Sequence, residues 1–461
     1  MLLYDISVMQ LNNQIGGIYM ATYDYDVLYL GSGHGTFDGA IPLAQTGKKV
    51  GIIESRLIGG TCPNRGCNAK IILDAPVELQ RASERLKGIV DPVPTINWKE
   101  NVEHKQEVID KLPVMISGAI ESAGIDIIKG YGTLLDAHTI EVDGQPHTAD
   151  KLVISTGLRP NKLNIPGTEL SHDSEDFMNL KKLPERIAII GSGYISLEFA
   201  TIANAAGSKV TVFMHGDQAL RQFNQDYVTA VVDDLERRGV KFVKFAGVSA
   251  FEKHDKEFVV KYADGQQKVD WILDATGRIP NVENIGLDKV GVKYNKHGIE
   301  VNDYLQTTVD NIYASGDVID KTQPKLTPTA IFESMYLTSL LSGQTDKPID
   351  YPVIPSVVFT SPRIAKAGVS VEEAKQKGYK IVENHLTDEW YRQIDKQDLV
   401  ENAFIYNDEN KIVGVTEVSE RADDVINAVL PLIEFGLSDE QIGRLVYLFP
   451  SITASTLSHR K

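Results

Sequence analysis

At roughly 150 residues per domain, the 461 residues of this chain predict about three domains. A hydrophobic fraction of 42% and a charged fraction of 24% are typical of a folded globular protein and exclude a disordered or collagen-like chain. The formal net charge of −16 repels phosphate backbones and anionic lipids, so we expect neither a nucleic-acid nor a membrane partner.

The cysteine count and the first twenty residues exclude further classes of protein. Two cysteines exclude a secreted disulfide framework and a four-cysteine zinc site, and we predict no metal site. Residues 1–20 contain no lysine or arginine and no uninterrupted apolar run, so they resemble neither a signal peptide nor a membrane span. The expected compartment is therefore the cytoplasm. Met20 directly precedes the first predicted strand, and a start there would make residues 1–19 a dispensable N-terminal extension.

The next segment has the strand, glycine loop, helix and strand order of a dinucleotide-binding unit. The apolar run Tyr25–Leu30 is followed by the loop Gly31-Ser-Gly-His-Gly35, a helical stretch, and a second strand that ends at Glu54. Glycines in such a loop let the backbone approach a pyrophosphate at the N-terminus of the helix. A carboxylate at the end of the second strand can accept a hydrogen bond from the ribose.

The same order recurs in the middle of the chain. The run Arg186–Ile190 precedes the loop Gly191-Ser-Gly193, a helix, and a second strand, Lys209–Phe213. The two loops predict a duplicated nucleotide fold, and the alternative is a pair of ordinary tight turns. At the position of the third glycine the loops carry Thr36 and Ser196, which we expect to loosen the packing of helix on strand.

The residue at the end of the second strand of each unit indicates which nucleotide that unit is predicted to bind. The position equivalent to Glu54 is Met214 in the second unit, and His215 and Arg221 follow it. The lack of a carboxylate there, with donor groups nearby, favours the 2′-phosphate of NADPH, with NADH as the other possibility. The alternative is that His215 and Arg221 are solvated loop residues.

Further apolar strands end in polar turns. Two of them end in Thr-Gly, at Gly157 and at Gly277, one in each nucleotide unit, and a third ends at Asp317. Beyond residue 350 the pattern changes to alternating strands and helices. We therefore place domain boundaries near residues 160, 300 and 350.

Both cysteines of the chain lie in one short motif, Gly59-Gly-Thr-Cys62-Pro-Asn-Arg-Gly-Cys67-Asn-Ala-Lys70. Placed on one face of a helix, two cysteines at this spacing can close a disulfide. A helix N-terminus or a nearby cation lowers the pKa of such a thiol, which suits a redox pair. The motif predicts a redox-active disulfide, and the alternative is a pair of structural cysteines in a core.

Together these motifs resemble the pyridine nucleotide–disulfide oxidoreductases of class I, which include glutathione reductases, dihydrolipoamide dehydrogenases and mercuric reductases. The resemblance extends from Asp24 to about Pro450. It rests on both glycine loops, the two-cysteine motif, the Thr-Gly strand ends, and the segments Ala314-Ser-Gly-Asp317 and Leu326-Thr-Pro328.

The resemblance implies an α/β fold of two Rossmann-like dinucleotide-binding domains and a C-terminal α+β dimerisation domain. FAD would bind a discontinuous domain of residues 21–160 and 301–350, and NAD(P)H a domain of residues 161–300. Residues 351–461 would join two copies into a homodimer.

The resemblance also implies roles for individual residues. Glu54 would hold the adenosine ribose of FAD, and Asp317 its ribityl chain. Lys70 and Glu198 would pair beside the reactive nitrogen of the flavin, and Tyr194 would gate the nicotinamide pocket. The other implied cofactor-binding residues are Gly31, Gly33, Gly35, Gly60, Thr61, Thr156, Gly157, Gly191, Gly193, His215, Arg221, Gly277 and Thr327.

The reaction implied by the resemblance has two halves. NADPH would give a hydride to the flavin, which would reduce the Cys62–Cys67 disulfide through Cys67, the cysteine expected against the ring. Cys62 would then attack a small-molecule acceptor.

The chain departs from this family where a proton donor is expected. The family's C-terminal His-Pro-x-x-x-Glu motif reads Phe449-Pro-Ser-Ile-Thr-Ala454 here. A phenylalanine transfers no proton, and general acid–base catalysis contributes about 10²–10⁴-fold. His34 in the first glycine loop is a candidate replacement and Tyr447 a weaker one. The alternative for His34 is a residue that only packs or hydrogen-bonds.

Residues that would bind glutathione or mercury are also missing. The family's glutathione-binding arginines are replaced by Ile41, Pro42 and Met335, and burying a carboxylate beside them would be costly. No cysteine follows Cys67, whereas mercuric reductases carry a C-terminal pair. We therefore predict an FAD enzyme that prefers NADPH and reduces a disulfide or another small oxidised sulfur or electrophilic acceptor. The alternatives are a glutathione-disulfide reductase and a flavoprotein redox sensor without turnover.

Overall fold

The computed structural model describes residues 23–460, so the predicted N-terminal extension lies outside the described residues. The strands β1 to β23 are, in chain order, Tyr25–Leu30, Val50–Glu54, Asp126–Lys129, Gly132–Asp136, Thr139–Val142, Gln145–Ile154, Leu158–Pro160, Arg186–Ile190, Lys209–Phe213, Lys241–Val243, Ala250–His254, Glu257–Tyr262, Gly265–Val269, Trp271–Asp274, Arg278–Pro280, Tyr294–Asn295, Gly298–Ile299, Ile312–Ala314, Ser356–Val358, Arg363–Gly368, Lys380–His385, Glu401–Tyr406 and Ile412–Ser419. The helices α1 to α14 are Phe37–Gln45, Thr61–Arg65, Cys67–Arg85, Trp98–Ile109, Leu112–Ser122, Ser174–Met178, Tyr194–Ala205, Gln225–Arg237, Leu287–Val290, Thr327–Leu341, Val371–Lys377, Ala422–Glu434, Asp439–Gly443 and Ile452–Ser458.

The first unit is built on a mainly parallel sheet. Its parallel strands have the order β3-β2-β1-β6-β18, and β5 and β4 continue from β6 as an antiparallel meander. Leu28 of β1 lies between Gly51 of β2 and Leu152 of β6. Where these strands lie side by side, the runs Val27–Leu30, Ile52–Ile53 and Leu152–Ile154 are apolar and buried, as is typical of parallel strands covered on both faces. The first glycine loop follows β1 and leads into α1.

The second unit repeats this arrangement in a smaller form. Its parallel sheet has the order β10-β9-β8-β14, and the second glycine loop joins β8 to α7. An antiparallel sheet, β11-β12-β13, packs against it, since Phe251 and Val260 share a hydrophobic cluster with Ile190 and Phe213.

The chain crosses between these two units through a short ribbon. Strand β7, on the way out, pairs antiparallel with β15, on the way back. Val282, Ile285 and Leu287 then belong to the same hydrophobic cluster as Leu28 of the first sheet. The packing therefore returns to the first unit near residue 281, earlier than the expected boundary at 300. The reason is that this segment covers the β4–β5 meander, where the N–H of Leu134 donates to the carbonyl of Ile285.

The C-terminal unit has a five-stranded antiparallel sheet of order β19-β20-β23-β22-β21. Helix α12 packs its apolar face on this sheet, with Ile426 and Val429 in one cluster with Phe404 and Val415. Among residues 23–460, we find no helix that is both long and apolar enough to span a bilayer.

Candidate active site

The first glycine loop lies so close to neighbouring backbone that a side chain is excluded at its first residue, Gly31. Gly31 has a φ of +108°, and a Cβ atom there would lie 2.4 Å from the carbonyl oxygen of Ser155. Gly33 packs against the backbone of Gly60, since a Cβ atom at Gly60 would lie 2.8 Å from the Cα atom of Gly33. Helix α1 begins just after the loop without a side-chain cap, which leaves backbone N–H groups for a phosphate.

The second loop repeats this geometry. Gly191 has a φ of +113°, and a Cβ atom there would lie 2.5 Å from the carbonyl oxygen of Ala275. A Cβ atom at Gly193 would meet nothing within 4 Å among the described residues. Thr36 and Ser196, at the positions of the third glycine, are both completely buried.

Glu54 is held in place at the end of β2 by hydrogen bonds from the loops on either side. Its Oε2 accepts from the N–H of Ser32 at 3.1 Å and from the Ser32 hydroxyl at 2.7 Å. Its Oε1 accepts from the N–H of Arg56 at 2.7 Å. The carboxylate is therefore fixed beside the first glycine loop, where the sequence predicts the ribose.

One cavity of about 950 Å³ collects most of the predicted site residues, which come from the first and second units. On its wall lie Gly31, Gly33, His34, Gly35, Glu54, Gly60, Thr61, Cys62, Cys67, Lys70, Thr156, Gly157, Tyr194, Glu198, Asp317 and Thr327. Gly191, Gly193, His215, Arg221 and Gly277 are not part of this wall. The cavity is lined by the predicted FAD residues and the predicted redox residues together.

The two cysteines do not share one helix, which corrects the expectation of a single helical face. Helix α2 ends at Arg65 and α3 begins at Cys67, with Gly66 between them. A Cβ atom at Gly66 would lie 3.0 Å from the carbonyl oxygen of Thr61, so a larger residue there would crowd the backbone of α2. The break places Cys67 in the first turn of a 19-residue helix, where the helix N-terminus favours a thiolate.

The two thiols, which are free in this structure, have opposite pKa shifts. A hydrogen bond from Cys62 lowers the pKa of Cys67 to about 6, and Thr327 and the Lys70 ammonium act in the same direction. The Sγ atom of Cys67 lies 3.6 Å from the Thr327 hydroxyl. The same contact with Cys67, together with burial, raises the pKa of Cys62. In the reduced pair, Cys67 carries the negative charge and Cys62 the proton.

Lys70 and Glu198 form a buried ion pair that joins the first unit to the second. The Nζ of Lys70 lies 3.2 Å from Oε1 of Glu198. Lys70 is one turn after Cys67 on α3, and Glu198 is on α7. Tyr194, the first residue of α7, is 47% exposed and lies on the cavity wall.

Met214 is buried, whereas the two cationic residues predicted near it are at the surface. Met214 is 1% exposed and belongs to the hydrophobic cluster of the second unit. His215 and Arg221 are exposed. The N–H of Leu220 donates to the carbonyl of Ser192 in the second glycine loop, so the segment that carries both residues lies beside that loop.

His34 has a carboxylate partner that the sequence analysis missed. Its Nδ1 lies 2.7 Å from Oδ2 of Asp38. Because a carboxylate only accepts, Nδ1 donates this hydrogen bond and Nε2 is left for another partner. His34 follows Gly33, which packs against Gly60, two residues before Cys62. The spacing of four residues at the start of a helix was the available signal for this pair.

Phe449 and Tyr447 lie apart from the cavity of their own chain. Phe449 is 73% exposed, and its ring centroid lies 6.2 Å from that of Trp390. Tyr447 packs against the core of the C-terminal unit, and its burial raises the pKa of its hydroxyl. Neither residue is on the described cavity wall, so Tyr447 supplies no proton donor to it from within the chain.

Two further cavity residues were missed by the sequence analysis. Arg65 lies between the cysteines, with its Nε 3.8 Å from a carboxylate oxygen of Glu175. The sequence signal that could have indicated Arg65 is its charge, which lies inside the two-cysteine motif. Phe359 comes from the C-terminal unit and contacts Glu198, 161 residues away, so no local pattern in the sequence indicates it.

Comparison with known families covers nearly all of the described chain. Residues 25–334 match the family described as pyridine nucleotide-disulphide oxidoreductase. Residues 354–458 match the dimerisation domain of that family, which supports a homodimer.

Curated relatives extend over most of the sequence. A glutathione reductase from Nostoc sp. is 31% identical, over 93% of this chain and 98% of its own length. A mercuric reductase from Lysinibacillus sphaericus is 32% identical, over 91% of this chain and 79% of its own. A dihydrolipoyl dehydrogenase from Geobacillus stearothermophilus is 29% identical, over 93% of each.

A solved structure shares the fold. The HOCl-induced flavoprotein disulfide reductase RclA from Escherichia coli superposes with a TM-score of 0.86 at 24% identity, covering 94% of this chain and 99% of that one. The predicted architecture of two dinucleotide-binding domains and a C-terminal α+β domain is confirmed. The chain therefore belongs to class I of the pyridine nucleotide-disulphide oxidoreductases, and it is a flavin-dependent enzyme of that family.

Proposed function

We propose that this enzyme uses NADPH, FAD and the Cys62–Cys67 pair to reduce a small oxidised sulfur compound or another small electrophile. The observation that carries the proposal is the position of both cysteines on one cavity wall with Glu54 and Asp317. The thiol with the lowered pKa begins helix α3, and the thiol with the raised pKa precedes it. This arrangement suits one cysteine that faces a cofactor and one that meets an acceptor.

The residues of the cavity fit FAD. The missing side chain of Gly157 leaves open space on the wall, and the uncapped start of α1 is available to a pyrophosphate. Glu54 would hold the adenosine ribose and Asp317 the ribityl chain. When bound, FAD supplies a ring that takes a hydride from the nicotinamide and passes two electrons to a disulfide.

The cysteines would carry out a thiol–disulfide exchange with the acceptor. Cys62 gives up its proton and attacks one sulfur of a disulfide acceptor, so that a mixed disulfide forms and the first thiolate leaves. The Cys67 thiolate then attacks the Cys62 sulfur, which restores the Cys62–Cys67 bond and releases the second thiolate. The acceptor gains two electrons and the cysteine pair loses two.

We assign the proton transfers of this exchange to His34, with Asp38 as its positioning residue. A thiol with a raised pKa requires a base, and a leaving thiolate requires an acid. The Nδ1 contact with Asp38 orients the ring and leaves Nε2 to exchange protons.

Preference for NADPH is supported by the surface beside the second glycine loop. The position after β9 carries Met214 instead of a carboxylate, and Met214 is buried. His215 and Arg221 are exposed near the loop and would meet a 2′-phosphate.

A small acceptor is supported by the residues that this chain lacks. Phe449 and Ala454 replace the acid–base pair of the family, and Ile41, Pro42 and Met335 replace its carboxylate-binding arginines. An electrophile whose leaving group is already a stable anion needs little protonation. Glutathione disulfide is the second candidate, favoured by the 31% identity to the Nostoc glutathione reductase.

The test is a purified, FAD-loaded enzyme with NADPH and a panel of acceptors. We expect a long-wavelength thiolate–flavin absorbance on reduction, and turnover of small electrophiles well above that of glutathione disulfide. The absence of this absorbance would contradict the dithiol mechanism. The absorbance without turnover of any acceptor would indicate a redox sensor instead.

A further inference from the structure

Phe359 of the C-terminal unit contacts both members of the Lys70–Glu198 pair. The Nζ of Lys70 lies 3.5 Å from the centroid of the Phe359 ring. The backbone N–H of Phe359 donates to Oε1 of Glu198 at 3.0 Å. This is the same oxygen that lies 3.2 Å from Lys70. One residue from a third unit therefore touches the cation and the anion together.

The ammonium of Lys70 has little water around it, because the side chains of Lys70 and Glu198 are only 11% and 8% exposed. A desolvated ammonium is attracted to the face of an aromatic ring more strongly than an exposed one. The Phe359 ring therefore stands where water would otherwise solvate Lys70, on the wall of the cavity.

The position of Phe359 is itself fixed by the sheet that precedes and follows it. Phe359 comes directly after β19, which pairs with β20. Arg363, the first residue of β20, contacts Asp423 at 2.8 Å and Glu78 at 3.0 Å, and lies 5.2 Å from the Phe359 ring. Glu78 is on α3, the helix that also carries Lys70. The C-terminal unit therefore contacts this helix at two residues, Lys70 and Glu78.

We propose that Phe359 is a positioning residue, which holds the Lys70 ammonium against Glu198, one helical turn from Cys67. This inference rests on the proposed function, in which Cys67 faces the flavin. Lys70 favours the thiolate of Cys67 through its charge. A displaced Lys70 would favour this thiolate less, so the C-terminal unit acts on the redox thiol through Lys70.

Other charged groups face this pair, and the test must separate their effects. Asp74 on α3, Tyr194 on α7 and Cys67 interact with the pair directly, and Glu78 on α3 and Arg363 on β20 interact with Asp74. Burial raises the pKa of Asp74 to about 7, and Lys70 opposes this shift. A titration of Cys67 is therefore repeated in an Asp74→Asn background, where the effect of Phe359 should persist.

The experiment uses the FAD-loaded Cys62→Ser protein, in which Cys67 is the only cysteine. The pH midpoint of its thiolate–flavin absorbance is measured with Phe359→Leu, which removes the ring but keeps the backbone N–H. We expect the midpoint to rise by at least about half a pH unit. Phe359→Met serves as a second ring-free variant, and Phe359→Tyr, which keeps the ring, should restore most of the parent value. Phe404→Leu, the same truncation in the core of the C-terminal unit, should leave the midpoint unchanged.

A double-mutant cycle decides whether the ring acts through Lys70. With Lys70→Met already present, Phe359→Leu should cause no further shift of the midpoint. An unchanged midpoint in both ring-free variants, or an equal shift with and without Lys70, would overturn the proposal. If the Cys62→Ser parent has no thiolate–flavin absorbance at any pH, the proposed function fails first, and this inference fails with it.

Discussion

The Nδ1 atom of His34 lies 2.7 Å from Oδ2 of Asp38, and the imidazole lies on the same cavity wall as Cys62. A histidine paired in this way has one nitrogen engaged and one free, which is the form needed to accept and return a proton. In a chain that carries Phe449 where its family has a histidine, this pair is the proton-transfer group within the described cavity that we propose to test first.

Replacing His34 with Gln should slow the reduction of a disulfide acceptor by about 10²-fold or more, since acid–base assistance is lost. Asp38→Asn should slow it less, because the ring loses its orientation but keeps its nitrogen atoms. Steady-state rates at several pH values measure both effects, and bound FAD serves as the folding control. Equal rates in wild type and His34→Gln would assign His34 to packing.

Replacing each cysteine in turn should distinguish the two half-reactions. Cys67→Ser should abolish the thiolate–flavin absorbance with FAD still bound, because Glu54 and Asp317 are unchanged. Cys62→Ser should keep the absorbance and lose turnover, because no thiol is left to attack the acceptor. Absorbance spectra and stopped-flow traces distinguish these cases. Wild-type turnover in both variants would mean that the acceptor takes electrons directly from the flavin.

The pH dependence of the reduced enzyme follows from the shift at Cys67. Its pKa is lowered to about 6, so the thiolate is the main form above that pH and is lost as the pH falls through it. We expect the thiolate–flavin absorbance to be nearly constant from pH 9 to pH 7.5 and to fall between about pH 7 and pH 5. A midpoint near the ordinary pKa of a cysteine would show that Thr327 and Lys70 do not lower the pKa of Cys67 as we expect.

The coenzyme preference should depend on Arg221. Arg221→Ala removes a charge-assisted contact with the 2′-phosphate and should raise the KM for NADPH by about 10-fold or more, with little change for NADH. Lys241→Ala removes an exposed cation at the other end of the neighbouring strand and serves as the control. A wild-type enzyme that prefers NADH would refute the assignment. Met214→Glu is unsuitable as a test, since it would put a carboxylate into a hydrophobic core.

Restoring the family's C-terminal residues should change the acceptor range. We expect the double variant Phe449→His, Ala454→Glu to raise turnover of glutathione disulfide and to leave small anionic-leaving-group acceptors nearly unchanged. The ratio of the two rates is the measurement. A wild-type rate with glutathione disulfide equal to that of ordinary family members would show that no proton donor is missing, and His34 would be the first residue to replace.

Local patterns in the sequence predicted the parts of the molecule that depend on neighbouring residues. Both glycine loops lie between strand and helix, and Glu54 ends β2 as its spacing indicated. The break at Gly66 was missed because a five-residue helix and a nineteen-residue helix read as one continuous pattern across the cysteines. The burial of Met214 was not indicated, because it depends on packing in the hydrophobic cluster of the second unit with residues distant in the chain. Phe359 was missed because the contact that matters is with a residue far away in the chain.

The place of β18 in the first sheet has a consequence for how the protein is made. Ile312 pairs beside Leu152, yet the whole of the second unit is translated between them. Strand pairings between distant segments form late, whereas contiguous domains fold as units while the chain emerges. The second unit, with β8 to β14 in an unbroken stretch, is therefore complete on the ribosome before the first sheet receives its last strand. The turn that carries Asp317 arrives with that strand, so the wall of the cavity is finished only when most of the chain has been synthesised.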